Sequence, residues 1–156
     1  MKTLSLVVVH LTLFASPLTV SFAAAPVASQ NGNVIDVWLG TSRRKPSEGI
    51  YHCSLNTDNG KLSDPELAAE ISGPGFLAMH PKLPTLYAVG SLEGKNCVAA
   101  YSIDGATGRQ KLTFLNSAEI GDGGAAHVSV DATGKTLLTA QYGGGSTGVF
   151  LSLTHI

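Results

Sequence analysis

A short stretch near the end of the chain decides the fold. Residues 127–141 read HVSVDATGKTLLTAQ, with two β-rich runs, 127–130 and 137–141, on either side of Asp131-Ala132-Thr133-Gly134. Asp and Gly tolerate the positive backbone φ angles that tight hairpins need, so the four central residues indicate a turn. The stretch therefore predicts two antiparallel strands joined by a short connection.

The rest of the chain continues the same alternation of strands and turns. Turn clusters rich in Gly, Asn and Asp also occupy residues 56–60 and 104–108. Residues 64–70 favour at most one helical turn, which is too short to change the fold class. The pattern predicts an all-β protein. The predicted strands are Val34–Leu39, Gly49–Leu55, Phe76–Met79, Leu86–Val89, Val98–Ile103, His127–Val130, Leu137–Gln141 and Gly148–Leu153.

The predicted strands recur with a nearly constant period. Every offset between matching segments lies between 49 and 51 residues. Four short strands in a period of roughly 40–50 residues are typical of one blade of a β-propeller. The repeat therefore predicts two to three four-stranded antiparallel blades, and a β-sandwich with coincidental spacing is the alternative. The matching segments are 49–51 with 99–101 and 148–150, 76–81 with 127–132, and 86–89 with 137–140.

Composition and charge exclude several classes of protein. The chain has 156 residues, and 10 Lys and Arg stand against 11 Asp and Glu, which gives a net charge of −1. Nucleic-acid binding needs a basic face, so this balance argues against a nucleic-acid partner. Apolar residues make up 44% of the chain, which argues against intrinsic disorder. Two cysteines are too few for a disulfide scaffold or a four-ligand zinc site.

The first 25 residues have the pattern of a secretory signal peptide. Lys2 is followed by an apolar run and then by Ala23-Ala24-Ala25, which is the order that signal peptides show. The alternative is an uncleaved membrane anchor over residues 4–20, but a span needs about 20 apolar residues. We therefore expect residues 1–25 to be a signal peptide and 26–33 a linker. The mature protein is then exported, periplasmic or secreted, and has no membrane span.

Export would place the two cysteines in an oxidising compartment. Cys53 and Cys97 would be able to form a disulfide there. Two buried and unpaired thiols on different strands are the alternative, and the sequence leaves both open.

One run is specific enough to indicate a family. It is AHVSVDATGKTLLTAQYGGGS, residues 126–146, and GFLAMHP at 75–81 and LYAV at 86–89 precede it. In this order the motifs resemble the amino-terminal blades of the lactonase family of seven-bladed propellers, which contains 6-phosphogluconolactonases and 3-carboxymuconate cyclases. Two positions depart from the family pattern. Trp38-Leu39 stand where an aromatic residue and Val are often found, and Gln141 stands where Asn is often found.

The resemblance implies that the chain holds only part of a propeller. Family members have seven blades, whereas residues 34–156 supply two to three, so we expect an incomplete lactonase-type propeller. A ring needs at least four blades to close. Open sheet edges and uncovered apolar faces favour self-association. We expect a truncated gene product or fragment, and a naturally short domain is the alternative.

One histidine is the main candidate for a catalytic residue. Lactone hydrolysis requires a base that activates water and donors that stabilise the oxyanion. His127 follows the Gly-rich residues 121–124 and begins a predicted strand, which in a propeller would line the central channel. The resemblance implies that His127 acts as an acid/base or binds acidic groups of the substrate. A structural hydrogen bond to the backbone of a neighbouring blade is the alternative.

Two further residues are candidates for substrate binding. Asp122 would orient His127 or a substrate hydroxyl, with a role in the turn as the alternative. Tyr142 would either face the channel or pack between sheets. We expect His80, which precedes Pro81 at a hairpin end, to be structural, and Arg43-Arg44-Lys45 to form a solvated loop.

Cofactor and metal motifs are not supported by the sequence. Residues 143–148 fit the pattern G-x-G-x-x-G, but a dinucleotide site needs a helix next and a strand is predicted there. No His-x-x-x-His, paired-cysteine or Asp-rich calcium pattern is present in the chain. We therefore expect neither a metal nor a cofactor.

Two functions follow from these observations. The first is a 6-phosphogluconolactonase-like hydrolase, in which activated water opens the ring of a small lactone and yields a sugar acid. The second is a non-catalytic exported propeller that serves as a binding or interaction module. Phosphorylated lactones are made inside cells, so export favours an unphosphorylated lactone for the first function.

Overall fold

A computed structural model describes residues 33–152 of the protein. These residues form strands and no helix, which confirms the all-β prediction, and none of their elements is a helix able to cross a membrane. The predicted signal peptide, and all of the predicted linker except Asn33, lie outside the described residues. The strands are β1 (Val34–Leu39), β2 (Gly49–Asn56), β3 (Lys61–Leu62), β4 (Glu66–Glu70), β5 (Ser72–Met79), β6 (Thr85–Leu92), β7 (Lys95–Asp104), β8 (Lys111–Glu119), β9 (His127–Val130), β10 (Thr136–Gln141) and β11 (Ser146–Leu151).

The strands form three antiparallel sheets that follow one another along the chain. In the first sheet β1 pairs with β2, and β2 pairs on its other side with β3 and β4. The middle sheet is a four-stranded meander in the order β5-β6-β7-β8, and the third sheet is β9-β10-β11. Short turns join neighbouring strands, which is why the pairing is antiparallel. The sheets are those of a partial propeller, as the repeat predicts.

Contacts between the sheets define an inner edge and an outer edge. The inner edge is formed by β5 and β9, which contact each other, and the outer edge by β4 and β8, which also contact each other. Tyr51 on β2 and Tyr101 on β7 are 50 residues apart and occupy equivalent places in their sheets. By this alignment, no described strand of the first sheet corresponds to β5, and no described strand of the third sheet corresponds to β8.

The middle sheet is buried on both faces, because side chains alternate between the two sides of a strand. In β6, Leu86 and Ala88 pack towards the first sheet, whereas Tyr87 and Val89 pack towards the third. The core between the first and middle sheets consists of Ile50, Ile71, Leu86, Ala88, Ala99, Tyr101 and Ile103. The core between the middle and third sheets consists of Tyr87, Val89, Val98, Ala100, Ile120, Val128 and Leu137.

The first and third sheets each have an apolar face that no described residue covers. Ile35 on β1 is exposed, and so are Leu138 and Val149 on the third sheet. Leu138 lies 51 residues after Tyr87, its buried equivalent in the middle sheet. These faces therefore correspond to the surfaces that adjacent blades cover in a propeller.

Polar contacts add to the packing between sheets. The Asp36 carboxylate of the first sheet accepts a hydrogen bond from the Gly108 N–H, in the turn after β7, at 2.9 Å. The Tyr87 hydroxyl of the middle sheet is bonded to the hydroxyl of Ser152, beyond β11, at 2.7 Å. These contacts add hydrogen bonds between neighbouring sheets to the packing of the apolar cores.

The sequence pattern locates eight of the strands and misses β3, β4 and β8. The interpretation of residues 64–70 as at most a helical turn is wrong, because β4 runs through them and pairs with β2. Both β4 and β8 form the outer edge, where most side chains are exposed or half-buried. No alternation of apolar and polar residues marks such strands, so their pairing partners decide their conformation.

The assignment of faces can be tested on two adjacent leucines. We expect Leu137→Ala to lower the free energy of unfolding by about 2–5 kcal/mol, because Leu137 is fully buried between the middle and third sheets. Leu138→Ala is the matched control, because that side chain is 40% exposed on the opposite face, and it should cost about 1 kcal/mol or less. Urea unfolding followed by circular dichroism measures both changes. Equal losses would contradict the assignment.

Candidate functional site

The candidate site lies at one end of the sheets, where the inner strands β5 and β9 begin. The β6–β7 and β10–β11 hairpins turn at the same end, because β6 and β10 run antiparallel to the inner strands. Gly123, in the loop before β9, lies against Gly143 and Gly144 in the turn after β10. This loop cluster, residues 121–126 with 142–145, contains Asp122 and Tyr142, and His127 directly follows it.

His127 is the first residue of β9 and pairs with Ala140 of β10. Its side chain is exposed, and its ring lies against the ring of Phe76 on β5 with 4.2 Å between the centroids. Within the described part of the chain the His127 side chain makes no hydrogen bond, so the alternative of a bond to a neighbouring blade is not observed. The aromatic contact therefore holds the imidazole at the inner edge and leaves both ring nitrogens available.

Asp122 lies in the loop between β8 and β9, and its carboxyl group packs directly over Gly144. A Cβ atom at position 144 would come within 1.9 Å of that carboxyl group, so only glycine permits the approach. Asp122 makes no hydrogen bond to His127 or Tyr142. The structure thus brings the carboxylate to the glycine turn and not to the histidine.

Tyr142 is 92% exposed, in the turn that joins β10 to β11. Gly145 closes this turn with a φ of 71°, and its N–H donates to the carbonyl of Gln141 at 2.9 Å. Tyr142 therefore does not pack between the three described sheets. The phenol stands at the same end of the third sheet as His127, and it is accessible to a ligand.

Contacts connect the loop cluster to the first sheet. Arg43, between β1 and β2, donates from Nη2 to the Asn96 side-chain oxygen at 2.7 Å, and the Asn96 amide lies against Gly124. The Arg43 side chain also covers Gly73 at the start of β5. Arg43, Arg44 and Lys45 are exposed, as the sequence predicts for a solvated loop. The Arg43 contacts tie this loop to the middle sheet and bring a cationic group to this end.

His80 is occupied by structural hydrogen bonds, as expected from the sequence. Its Nδ1 accepts the N–H groups of Lys82 and Leu83 at 3.0 and 2.9 Å. The proton must then be on Nε2, which donates to the carbonyl of Gly134 at 3.1 Å. Because both nitrogens are used, His80 links the middle and third sheets and is not a candidate for catalysis.

Sequence reasoning missed a buried pair formed by His52 and Asp36. The His52 Nε2 and an Asp36 carboxylate oxygen are 2.6 Å apart, and the Trp38 ring lies 4.8 Å from the imidazole. Asp36 lies opposite Ser54 on the paired strand, two residues from His52, so the two side chains are diagonal neighbours on one face of the sheet. An acidic residue at a core-facing position was the signal that the sequence offered. The pair contacts the turn after β7, at the opposite end of the sheets from His127.

Cys53 and Cys97 are free thiols, buried on β2 and β7. Burial raises the pKa of Cys97, so the residue is a protonated thiol with little nucleophilic character. Among residues 33–152, no three His, Cys, Asp or Glu side chains are grouped so that they could hold a metal ion.

The loop cluster combines groups that suit a polar, hydroxylated ligand. An accessible imidazole can accept or donate a proton near neutral pH. The carboxylate, the phenol and the Arg43 guanidinium at the same end offer acceptors and donors of hydrogen bonds. Phe76 supplies an apolar surface beside the imidazole. The described site lacks the far side of a channel, because its inner edge has only two strands.

Comparison with known proteins relates the chain to one family. Residues 36–154 match the family described as "Lactonase, 7-bladed beta-propeller". A 6-phosphogluconolactonase from Bacillus subtilis is 40% identical over 113 residues, which cover 72% of this chain and 32% of the relative. The match thus spans about a third of the length of that relative.

Solved structures show the same likeness. A protein from Lactobacillus plantarum superposes with a TM-score of 0.66 at 28% identity, over 74% of this chain and 33% of the other. The periplasmic gluconolactonase of Pseudomonas aeruginosa gives a TM-score of 0.65 at 23% identity, over 76% of this chain and 34% of the other. At that identity the second likeness concerns the fold alone.

The contact between Asp122 and the glycine turn can be tested by adding one methyl group. We expect Gly144→Ala to displace the Asp122 side chain and to change stability by about 0.5 kcal/mol or less, because the new Cβ would overlap a carboxyl group that can move in an exposed turn. Gly143→Ala is the matched control, since no other residue lies within 4 Å of a Cβ there. Amide chemical shifts of residues 121–126 report the displacement. Equal shifts in both variants would show that the contact does not exist.

Proposed function

Because the chain belongs to the lactonase family of seven-bladed β-propellers, we propose that it forms part of a lactonase-type site, where water opens the ring of a sugar lactone. The observation that carries the proposal is the accessible His127 at the inner edge, in contact with Phe76 and without a hydrogen bond in the described residues. The name of the B. subtilis relative, a 6-phosphogluconolactonase, supports a lactone as the class of substrate.

In the proposed reaction His127 is the catalytic acid/base. The neutral imidazole takes a proton from water as the water oxygen bonds to the lactone carbonyl carbon. The tetrahedral intermediate then collapses, the bond between that carbon and the ring oxygen breaks, and the imidazolium returns its proton to the ring oxygen. The product is a hydroxy acid, and no oxidant, metal or cofactor is needed to balance the step.

Substrate binding is assigned to the residues around His127. Asp122 would accept hydrogen bonds from substrate hydroxyls, and the Tyr142 phenol would donate or accept one. Arg43 would attract an acidic substituent or the carboxylate of the product, since its charge lies at the same end of the sheets. Each of these roles uses a group that is at least partly exposed at this end of the sheets.

The proposed export of the protein restricts the class of lactone that it would meet. We propose that residues 1–25 are removed as a signal peptide, and that the mature protein acts outside the cytoplasm on an unphosphorylated lactone. Support comes from the charged start, the apolar run and the alanines at 23–25. Amino-terminal sequencing of the exported protein should find a first residue near Ala24. An intact Met1 on membrane-bound protein would contradict the proposal and favour the anchor.

A non-catalytic binding module is the second candidate, and the uncovered apolar faces favour it. The partner we propose is a second copy, because one chain carries both the exposed face of β1 and the exposed face of the third sheet. Copies would then stack face to face in a head-to-tail order. Sedimentation velocity should show association that rises with concentration and weakens in Leu138→Glu. A monomer at every concentration would exclude this arrangement.

The binding role of His127 can be tested with gluconate, the stable sugar acid of the proposed reaction. In an NMR titration of the 156-residue protein, we expect the imidazole C–H signals of His127 to shift and saturate. His80 is the internal control, because it is buried and both of its nitrogens are bonded. Equal movement of both histidines, or no saturable shift at His127, would contradict the proposed site.

Turnover is a separate expectation. We expect this 156-residue chain to hydrolyse glucono-δ-lactone negligibly in a pH-stat assay, because three sheets do not close a channel around the substrate. A turnover that His127→Ala abolishes would refute that expectation, and it would support His127 as the catalytic residue. A turnover that His127→Ala leaves unchanged would remove His127 from the mechanism.

A further inference from the structure

Phe76 and His127 occupy the same place in two successive inner strands. They are 51 residues apart, which matches the period of the repeat, and they lie on β5 and β9. In β5, Leu77 packs towards the first sheet and Ala78 towards the third, so the alternation of side chains directs Phe76 towards the third sheet. The inner edge therefore presents a phenyl ring in one blade and an imidazole in the next.

The Phe76 ring stays partly accessible beside the imidazole. The two ring centroids are 4.2 Å apart with an angle of 50° between the planes, and 38% of Phe76 is nevertheless exposed. Apart from its chain neighbours, a Cβ atom at the preceding Gly75 would have only the Gly73 carbonyl oxygen within 4 Å, at 3.9 Å. Among the described residues, the space beside Phe76 is therefore open to a ligand.

A β-bulge ends directly before Phe76. From Phe76 to Met79 the strand β5 pairs regularly with β6, whereas the three residues 73–75 lie opposite Gly90 alone. Bulges redirect side chains and are frequent beside active sites. The Arg43 side chain covers residue 73 of this bulge. The irregular backbone thus brings a cationic side chain to the same stretch of strand as the exposed phenyl ring.

A phenyl ring beside an accessible imidazole suits a closed sugar ring. The face of an aromatic ring carries partial negative charge. One face of a six-membered sugar ring presents several C–H groups, with partial positive charge, as a compact patch, so the two faces attract each other. An open-chain sugar acid has no such rigid patch, and the negative ring face does not attract its carboxylate. Phe76 therefore offers a contact that a lactone makes and that its hydrolysis product loses.

We propose that Phe76 is a specificity-determining residue, on whose ring the closed lactone lies, and that this contact favours the lactone over the hydroxy acid formed from it. The inference rests on the proposed function, because it places the substrate of His127. Opening of the lactone ring removes the contact with Phe76, so the reaction itself weakens the binding of the product.

Glucono-δ-lactam is a suitable probe, because its ring is closed like that of the lactone and its amide bond resists hydrolysis. Gluconate is the open-chain counterpart. NMR titrations of the 156-residue protein, followed at the imidazole C–H signals of His127, give both affinities. Phe76→Leu should weaken lactam binding about fivefold, as expected for the loss of one aromatic contact. It should change the affinity for gluconate little, so the preference for the closed ring falls.

Phe114→Leu is the matched control, because it makes the same substitution at a phenylalanine that is 51% exposed on the outer edge. It should leave both affinities unchanged. Phe76→Tyr keeps an aromatic ring and should keep the preference for the lactam. A lactam affinity that Phe76→Leu leaves unchanged, or lowers only in parallel with that of gluconate, would overturn the proposal.

Nuclear Overhauser effects separate direct contact from a mere positioning of His127 by Phe76. Bound lactam should give such effects between its C–H protons and the ring protons of Phe76. Effects to His127 without any to Phe76 would contradict the contact and leave the lactone site standing. Saturable shifts of His127 with neither ligand would refute the proposed function, and the role of Phe76 with it.

Discussion

Burial of the middle sheet on both faces is the constraint on which the structure depends. Its strands β6 and β7 carry consecutive buried residues, because alternate side chains serve two separate cores. Each Å² of apolar surface removed from water contributes roughly 25 cal/mol, so a sheet covered on one face gains much less than one covered on two. The first and third sheets are therefore held mainly through their contact with the middle sheet, and their far faces remain apolar and uncovered.

The same arrangement produces the candidate site. Sheets that radiate from a common axis are close together at the inner edge and further apart at the outer edge. At the inner edge Phe76 and His127 come into ring contact, which holds the imidazole beside the loop cluster. At the outer edge the separation leaves a cavity of about 580 Å³ between β4 and the strands β7 and β8.

Much of the fold follows from the sequence, and the limits of prediction have physical causes. The 50-residue repeat and the turn residues predict eight of the strands and their antiparallel order, because those strands are rich in apolar residues and their turns need Gly, Asn or Asp. The outer strands β4 and β8 are exposed or half-buried along their whole length, so pairing with β2 and β7 defines them. His127 was recognisable from its place at a strand start. The contact of Asp122 with Gly144 and the His52–Asp36 pair depend on side-chain packing that spacing does not encode.

Hydrogen exchange measured amide by amide tests the central arrangement most directly. If the middle sheet is covered on both faces, its interior strands β6 and β7 should exchange most slowly, and β4, β8 and β11 should exchange much faster. A folded protein in which the slowest amides lie in β4, β8 or β11, with β6 and β7 exchanging readily, would contradict a stack of three sheets with this one at its centre.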